Sequence, residues 1–173
     1  MRIGSKGGAS TKTGLGFEGI ADVKTFLQSQ PSYKVNDKNH VYYQGKLVAK
    51  LFKQRAFYKF LDSLNINWQD CISKKILPDN SIYVIEPNTI YIVECKFQQV
   101  KGTVDEKLQT CHFKKQQYKK LLSQSNINIE YVYLLNNWFL QNKYKDVLHY
   151  IQEVGCYYYF NTIPLEKIGL PYN

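Results

Sequence analysis

The chain has 173 residues, of which 44% are hydrophobic, and a formal net charge of +9. A chain of this length buries a core of its own, and its apolar runs fall well short of the roughly 18 residues that a membrane span requires. Since the N-terminus also lacks the apolar core of a signal peptide, the composition predicts one domain of a cytoplasmic protein.

The positive charge is concentrated near the start of the chain. Residues 1–59 have a net charge of +8, whereas residues 60–173 have a net charge of +1. Such asymmetry is typical of a phosphate-binding surface, although a soluble domain without such a role can have the same balance. Residues 1–16 are rich in Gly, Ser, Thr and Lys and are predicted to form a flexible basic arm. They lack the preceding strand and the Gly-Lys-Ser/Thr ending of a phosphate loop, so no nucleotide cofactor is predicted.

Apolar residues at helical spacing predict a first helix over residues 17–28, with Glu18 in its opening turn. Glu18 has two interpretations, because a carboxylate is favoured in a first turn by the helix dipole alone. Between residues 31 and 49 the pattern indicates two short strands that turn at Gln44-Gly45.

An apolar stripe predicts a second helix over residues 50–64, and residues 68–77 are predicted to form the strand before a central hairpin. The basic residues of the second helix lie mainly outside its stripe. A basic helix face suits nucleic acid, and a solvated face gives the same pattern. The predicted nucleic-acid contacts on this helix are Lys50, Lys53, Arg55 and Lys59.

The central hairpin covers residues 76–100, where two β-branched and aromatic runs are separated at Pro87. If the loop has an even number of residues, Asp79 lies opposite Lys96, and Glu94 lies on the same face. An odd loop would remove this grouping.

Charged side chains on an otherwise apolar hairpin need an explanation, because their burial is costly unless they are paired or bound to a metal. In this register Asp79 and Glu94 are diagonal neighbours with Cβ atoms about 7 Å apart, which is close enough for the two carboxylates to share one cation. The alternative is an ion pair between Lys96 and one carboxylate at the end of an ordinary hairpin.

Pro78-Asp79, fourteen residues and Glu94-Cys95-Lys96 together resemble the signature of the PD-(D/E)xK nuclease superfamily. The resemblance implies an α/β (α+β) fold with a restriction-endonuclease-like core, in which a mixed β-sheet with flanking helices follows the order αβββαβ. It also implies one nuclease domain over residues 17–173, with an insertion at about 31–64.

The resemblance further assigns roles to residues of this chain. Mg²⁺ would be bound by Asp79, Glu94 and the backbone carbonyl of Cys95, and Lys96 would orient or help to deprotonate the attacking water. Glu18 and Gln98 would be auxiliary ligands, or would contact the groups that bind the metal.

Residues 98–107 look like the segment that follows this motif in some type II restriction endonucleases. A capping box at residues 103–106 predicts a helix that runs to about residue 123. Its N-terminus could bind a phosphate near the metal, with Lys101, Thr103 and Lys107 as the contacts.

The remaining pattern predicts a strand over residues 130–135, a helix over 144–153 that is closed by Gly155, a strand over 156–160 and a short helix over 164–170.

These observations favour a Mg²⁺-dependent, site-specific endonuclease of double-stranded DNA that resembles type II restriction enzymes and acts as a homodimer. Two alternatives remain open. One is a structure-selective resolvase or repair nuclease, and the other is a DNA-binding module without catalytic activity.

Overall fold

The computed structural model describes residues 23–100 and 104–172. Within them, seven strands form one sheet with helices packed against it. The strands are β1 (Tyr33–Val35), β2 (His40–Tyr43), β3 (Lys46–Phe52), β4 (Asn80–Val84), β5 (Thr89–Lys96), β6 (Asn128–Leu135) and β7 (Tyr157–Phe160). The α-helices are α1 (Val23–Gln28), α2 (Arg55–Ser63), α3 (Val104–Leu108), α4 (Cys111–Leu121) and α5 (Lys145–Glu153). In this part of the chain, no helix is long and apolar enough to cross a bilayer.

The strands follow one another across the sheet in chain order. Neighbours from β1 to β5 are antiparallel, whereas β6 is parallel to β5 and β7 is parallel to β6. Parallel neighbours need a crossover, and α3 with α4 supplies the first crossover and α5 the second. The predicted mixed β-sheet with flanking helices is therefore confirmed.

Hydrophobic residues fill both faces of the sheet. On one face, Ile90 and Ile92 of β5 pack in a cluster with α2, α4 and α5. On the other face, Tyr91 and Val93 pack in a cluster with α1 and the first three strands. This alternation places Glu94, which follows the parity of Ile90 and Ile92, on the face covered by α2 and α4.

Two predicted elements upstream of the hairpin are wrong, namely the strand over residues 68–77 and the start of the helix at residue 50. Residues 68–77 form no strand, since the only regular structure there is a 3₁₀ turn at Trp68–Asp70. The strand beside β4 is instead β3, which lies within the predicted insertion at about 31–64. The helix predicted over residues 50–64 begins only at Arg55, so Lys50 lies on β3 and Lys53 lies in the loop before α2.

Other elements lie close to their predicted positions. The chain turns between β2 and β3 at Gln44 and Gly45, both with positive φ. The predicted helix over 103–123 is interrupted after Leu108 and resumes at Cys111 as α4. Gly155 has a φ of 69° and follows α5 at the position where the left-handed conformation ends a helix.

The hairpin register differs from the predicted register by two residues. Val84 pairs with Thr89 and Tyr83 pairs with Ile90, so the loop holds the four residues 85–88. The loop is even, as the face assignment required. Because side chains alternate with a period of two, a shift of two residues changes which residues oppose each other but keeps every side chain on its predicted face.

Candidate active site

Asp79, Glu94 and Lys96 lie at one end of the β4–β5 hairpin. The two strands are antiparallel, so the residue before β4 meets the end of β5. One step beyond the Asn80–Val93 pair, Asp79 lies opposite Glu94, and not opposite Lys96 as predicted. The main-chain N–H of Cys95 donates a hydrogen bond to the Asp79 carboxylate. The charge of Glu94 repels this carboxylate, and the charge of Lys96 attracts it. The fold thus brings together the three charged residues of the sequence motif.

Glu94 is almost enclosed, with 12% of its side chain exposed. The Nζ atom of Lys96 lies 2.5 Å from its Oε1 atom. The Nζ atom of Lys114, on α4, lies 2.7 Å from Oε1 and 2.8 Å from Oε2. The hydroxyl group of Tyr131, on β6, donates to Oε2. Both oxygens of Glu94 are therefore occupied by donors, and two of these three donors are ammonium groups.

The two carboxylates have opposite electrostatic environments. Burial acts to raise the pKa of Glu94, but the charge of Lys96, the hydrogen bonds from Lys114 and Lys96 and the hydroxyl group of Tyr131 hold this pKa below its usual range. The pKa of Asp79 is raised, first by desolvation and then by repulsion from Glu94. Asp79 as a residue is exposed, but its carboxylate accepts the hydrogen bond from Cys95. The desolvation therefore concerns the side of the carboxylate that faces the protein. Glu94 is therefore the more acidic of the two carboxylic acids.

Lys114 was not recognised from the sequence, although a signal was present. On α4 the buried positions Cys111, Tyr118 and Leu121 define the inward stripe, and helical spacing places residues 114 and 115 in that stripe. Lysines there contradict the apolar pattern and indicate buried acidic partners. Lys115 finds its partners away from Glu94, at the Oε2 atom of Glu130 (2.7 Å) and the carbonyl of Gly155 (2.6 Å).

Gln98 continues the parity of Glu94 and Lys96 beyond the end of β5, where it is buried, with 6% exposed. Its main chain exchanges hydrogen bonds with the side-chain amide of Asn136, and its Nε2 atom donates to the carbonyl of Val100. Its Oε1 atom is buried without a hydrogen-bond partner among the described residues. Gln98 is thus held rigidly next to the motif and has one unused acceptor.

The donor set suits a hard divalent cation. Mg²⁺ binds through one or two carboxylates and fills its remaining positions with water and phosphate oxygens, and Asp79 and Glu94 supply two carboxylates on one face. Among the described residues, no group of three or more His, Cys, Asp or Glu side chains is placed to hold a metal. A metal here would therefore need the predicted Cys95 carbonyl, water or substrate as further ligands.

The predicted nucleic-acid contacts are spread around this end of the sheet. Arg55 and Lys59 on α2 are exposed, as is Lys53 before it. The N–H of Gln54 donates to the carbonyl of Pro78, over 3.0 Å, which holds the start of α2 next to the residue that precedes Asp79. Lys50 is half-buried and Lys107 at the end of α3 is exposed. Three predicted site residues lie outside the described residues, namely Glu18, Lys101 and Thr103.

A comparison with protein families matches residues 23–129 to the PD-(D/E)XK nuclease superfamily domain. The match covers more than half of the chain and includes the whole hairpin. The chain belongs to the PD-(D/E)XK nuclease superfamily. Neither a search of curated proteins nor a search of solved structures returned a significant match.

Membership of the superfamily implies a nuclease with a nucleic-acid substrate, and nucleases of this superfamily generally use divalent metals such as Mg²⁺. The motif residues Asp79, Glu94 and Lys96 lie inside the matched range, as does Lys114. Tyr131 lies beyond it, so β6 adds to this nuclease domain a contact with Glu94 from outside the matched segment.

Proposed function

We propose that the protein is a Mg²⁺-dependent endonuclease that hydrolyses phosphodiester bonds in double-stranded DNA. The observation that carries this proposal is the convergence of Asp79, Glu94 and Lys96 at one end of the hairpin, within a domain of the nuclease superfamily. The proposal includes the cytoplasmic location expected from the sequence.

In this proposal Asp79 and Glu94 hold the metal together with the carbonyl of Cys95, and Glu18 and Gln98 assist as auxiliary groups. When bound, Mg²⁺ polarises the phosphoryl oxygen and lowers the pKa of a coordinated water. Lys96 orients the attacking water and offsets the charge that develops on the phosphorus oxygens.

Basic residues provide the DNA contacts in this proposal. Lys53 and Arg55 flank Gln54, whose hydrogen bond to Pro78 keeps the start of α2 next to Asp79. A phosphate backbone that reaches the metal would pass this helix, and lysine and arginine side chains supply most backbone contacts. The further predicted contacts are Lys50, Lys59, Lys101, Thr103 and Lys107.

We further propose that cleavage is site-specific and that the protein acts as a homodimer, in the manner of type II restriction enzymes. One active site cuts one strand, and a two-fold symmetric protein matches a symmetric site on duplex DNA. The basic excess of residues 1–59 supports contact with duplex DNA over an extended surface.

Incubation with supercoiled plasmid, relaxed plasmid, a branched DNA junction and single-stranded RNA tests the proposal, each in Mg²⁺ and in EDTA. We expect linear DNA with uniform ends in Mg²⁺ only. Lys96→Ala is expected to lower the cleavage rate about 10²-fold or more, on the scale of losing an acid–base or electrostatic group. Asp79→Asn is the inactive control, because it keeps the shape of the side chain and removes the charge.

The other outcomes discriminate between the alternatives. Nicks without defined ends, or preferential cleavage of branched DNA, would replace site-specific restriction by a resolvase or repair nuclease. Binding of duplex DNA with no Mg²⁺-dependent cleavage of any substrate would leave a DNA-binding module. Cleavage by Asp79→Asn at the wild-type rate would refute the proposed metal site.

A further inference from the structure

Lys114 makes the most extensive contact with Glu94. Its ammonium group lies within hydrogen-bond distance of both carboxylate oxygens, whereas Lys96 and Tyr131 each reach one. The lysine comes from α4, which packs against β6 beside the hairpin, so an element outside the hairpin positions it. A contact of this kind, charge-assisted and partly desolvated, is among the stronger interactions of a protein.

This contact competes with metal binding. A divalent cation on Glu94 requires a lone pair on one of the two oxygens, Lys114 is the donor that contacts both of them, and the cation also repels both ammonium groups. The two lysines differ in their freedom to leave, since 31% of the Lys114 side chain is exposed and 14% of the Lys96 side chain is exposed. Lys114 is therefore the donor that can move into solvent with the smaller loss of buried contacts.

We propose that Lys114 is an internal counterion of Glu94 which a divalent cation displaces, and that its released ammonium group then binds a phosphate of the nucleic acid. This inference rests on the proposed function, because it takes Glu94 as a metal ligand. It makes metal binding and substrate binding cooperative: the metal frees a cation for the phosphate, and the phosphate keeps that cation away from Glu94.

The first measurement is the affinity for Mn²⁺ without nucleic acid, by electron paramagnetic resonance of the free ion. Lys114→Met keeps the aliphatic stem and removes the competing charge, so we expect binding about tenfold tighter than that of the wild type, equivalent to about 1.4 kcal/mol. Lys114→Arg retains the charge and is expected to bind Mn²⁺ no more tightly than the wild type. Lys119→Met, the same change at an exposed position of α4, is expected to leave the affinity unchanged.

The second measurement is the salt dependence of binding to a DNA duplex, with Ca²⁺ and with EDTA, after electrophoresis has verified that the duplex stays intact. A lysine that contacts a phosphate contributes about 0.9 to the slope of log K against log salt. We expect Lys114→Met to lower this slope by about that amount with Ca²⁺ and to leave it unchanged with EDTA, where Glu94 already holds the ammonium group.

The outcomes separate failure of the metal site from failure of the role of Lys114. If neither the wild type nor Lys114→Met binds Mn²⁺, the metal site is overturned, and the proposed function with it. The same follows if Asp79→Asn binds Mn²⁺ as tightly as the wild type. Mn²⁺ binding that depends on Asp79 but is no tighter in Lys114→Met would overturn only the role of Lys114. A slope reduced equally with Ca²⁺ and with EDTA would also overturn the displacement, since Lys114 would then reach the phosphate without the metal. Thermal unfolding of each variant establishes that the measurements concern folded protein.

Discussion

The variant Glu94→Gln tests the electrostatic arrangement at the end of β5 independently of catalysis. Glutamine keeps the shape of the side chain but has no charge and a single acceptor oxygen. In either orientation its amide NH₂ group faces Lys114 together with Lys96 or Tyr131, and all three are themselves donors. Lys96 and Lys114 then remain close together without the carboxylate between them.

The size of the effect follows from the burial of these groups. A hydrogen bond to a charged group contributes about 1.5–3 kcal/mol, and breaking a fully buried ion pair costs about 3–5 kcal/mol. Lys114 has 31% of its side chain exposed and can turn toward water, which reduces the cost. We therefore expect the free energy of unfolding at pH 7 to fall by about 2–3 kcal/mol, and the melting temperature by about 4–12 °C for a chain of this size.

The pH dependence provides a second signature. The pKa of Glu94 in the folded protein lies below the ordinary value of 4.5, so its ion pairs stabilise the fold above that pH and lose this effect as the pH falls through the folded-state pKa. The difference in stability between wild type and Glu94→Gln should therefore shrink on acidification from neutral pH to below 4.5.

Urea unfolding at several pH values measures both quantities. The matched control is Glu86→Gln, because Glu86 is 81% exposed and only 3.5 Å from Lys46, and a pair of this kind contributes less than about 1 kcal/mol. Equal stability of Glu94→Gln and wild type at neutral pH would refute this description of the site, as would a difference that does not change with pH.

Three further predictions concern other charged residues. Asp79→Asn should be at least as stable as the wild type at neutral pH, because a raised folded-state pKa means that ionised Asp79 disfavours the folded state above its ordinary value of 3.8; the same variant should lose Mn²⁺ binding, and a drop in unfolding free energy in urea would contradict the sign. Arg55→Ala and Lys59→Ala should each lower the salt slope of duplex binding by about 0.9 if the residue contacts a phosphate, whereas a base contact would cost about 1–3 kcal/mol at one base pair; unchanged affinity and slope in both would move the DNA surface away from α2. Lys115→Met should lower stability by about 1–2 kcal/mol through the loss of its pair with Glu130 and should keep the wild-type affinity for Mn²⁺, which calorimetry measures.

Local patterns were sufficient to predict the grouping of the charged residues on the hairpin. Glu94 and Lys96 are two positions apart on one strand, so they share a face whatever the strand pairs with. Asp79 joins them because the loop has an even number of residues. The predicted register was wrong by two residues, which equals the side-chain period and so left each side chain on its predicted face. The turn at Gln44-Gly45 and the helix end at Gly155 were likewise predictable, since both include a glycine, which adopts positive φ readily.

The tertiary structure decided which residues complete the site. Lys114 and Tyr131 follow Glu94 by 20 and 37 residues in the chain, and they reach it because β6 lies beside β5 and α4 packs against β6. The pairing of elements that are distant in the chain also explains the wrong strand at residues 68–77, because the partner of β4 is β3, which precedes α2. A sequence pattern records the period of each element, but the pairing of distant elements depends on the burial of whole faces against one another, which no local window contains.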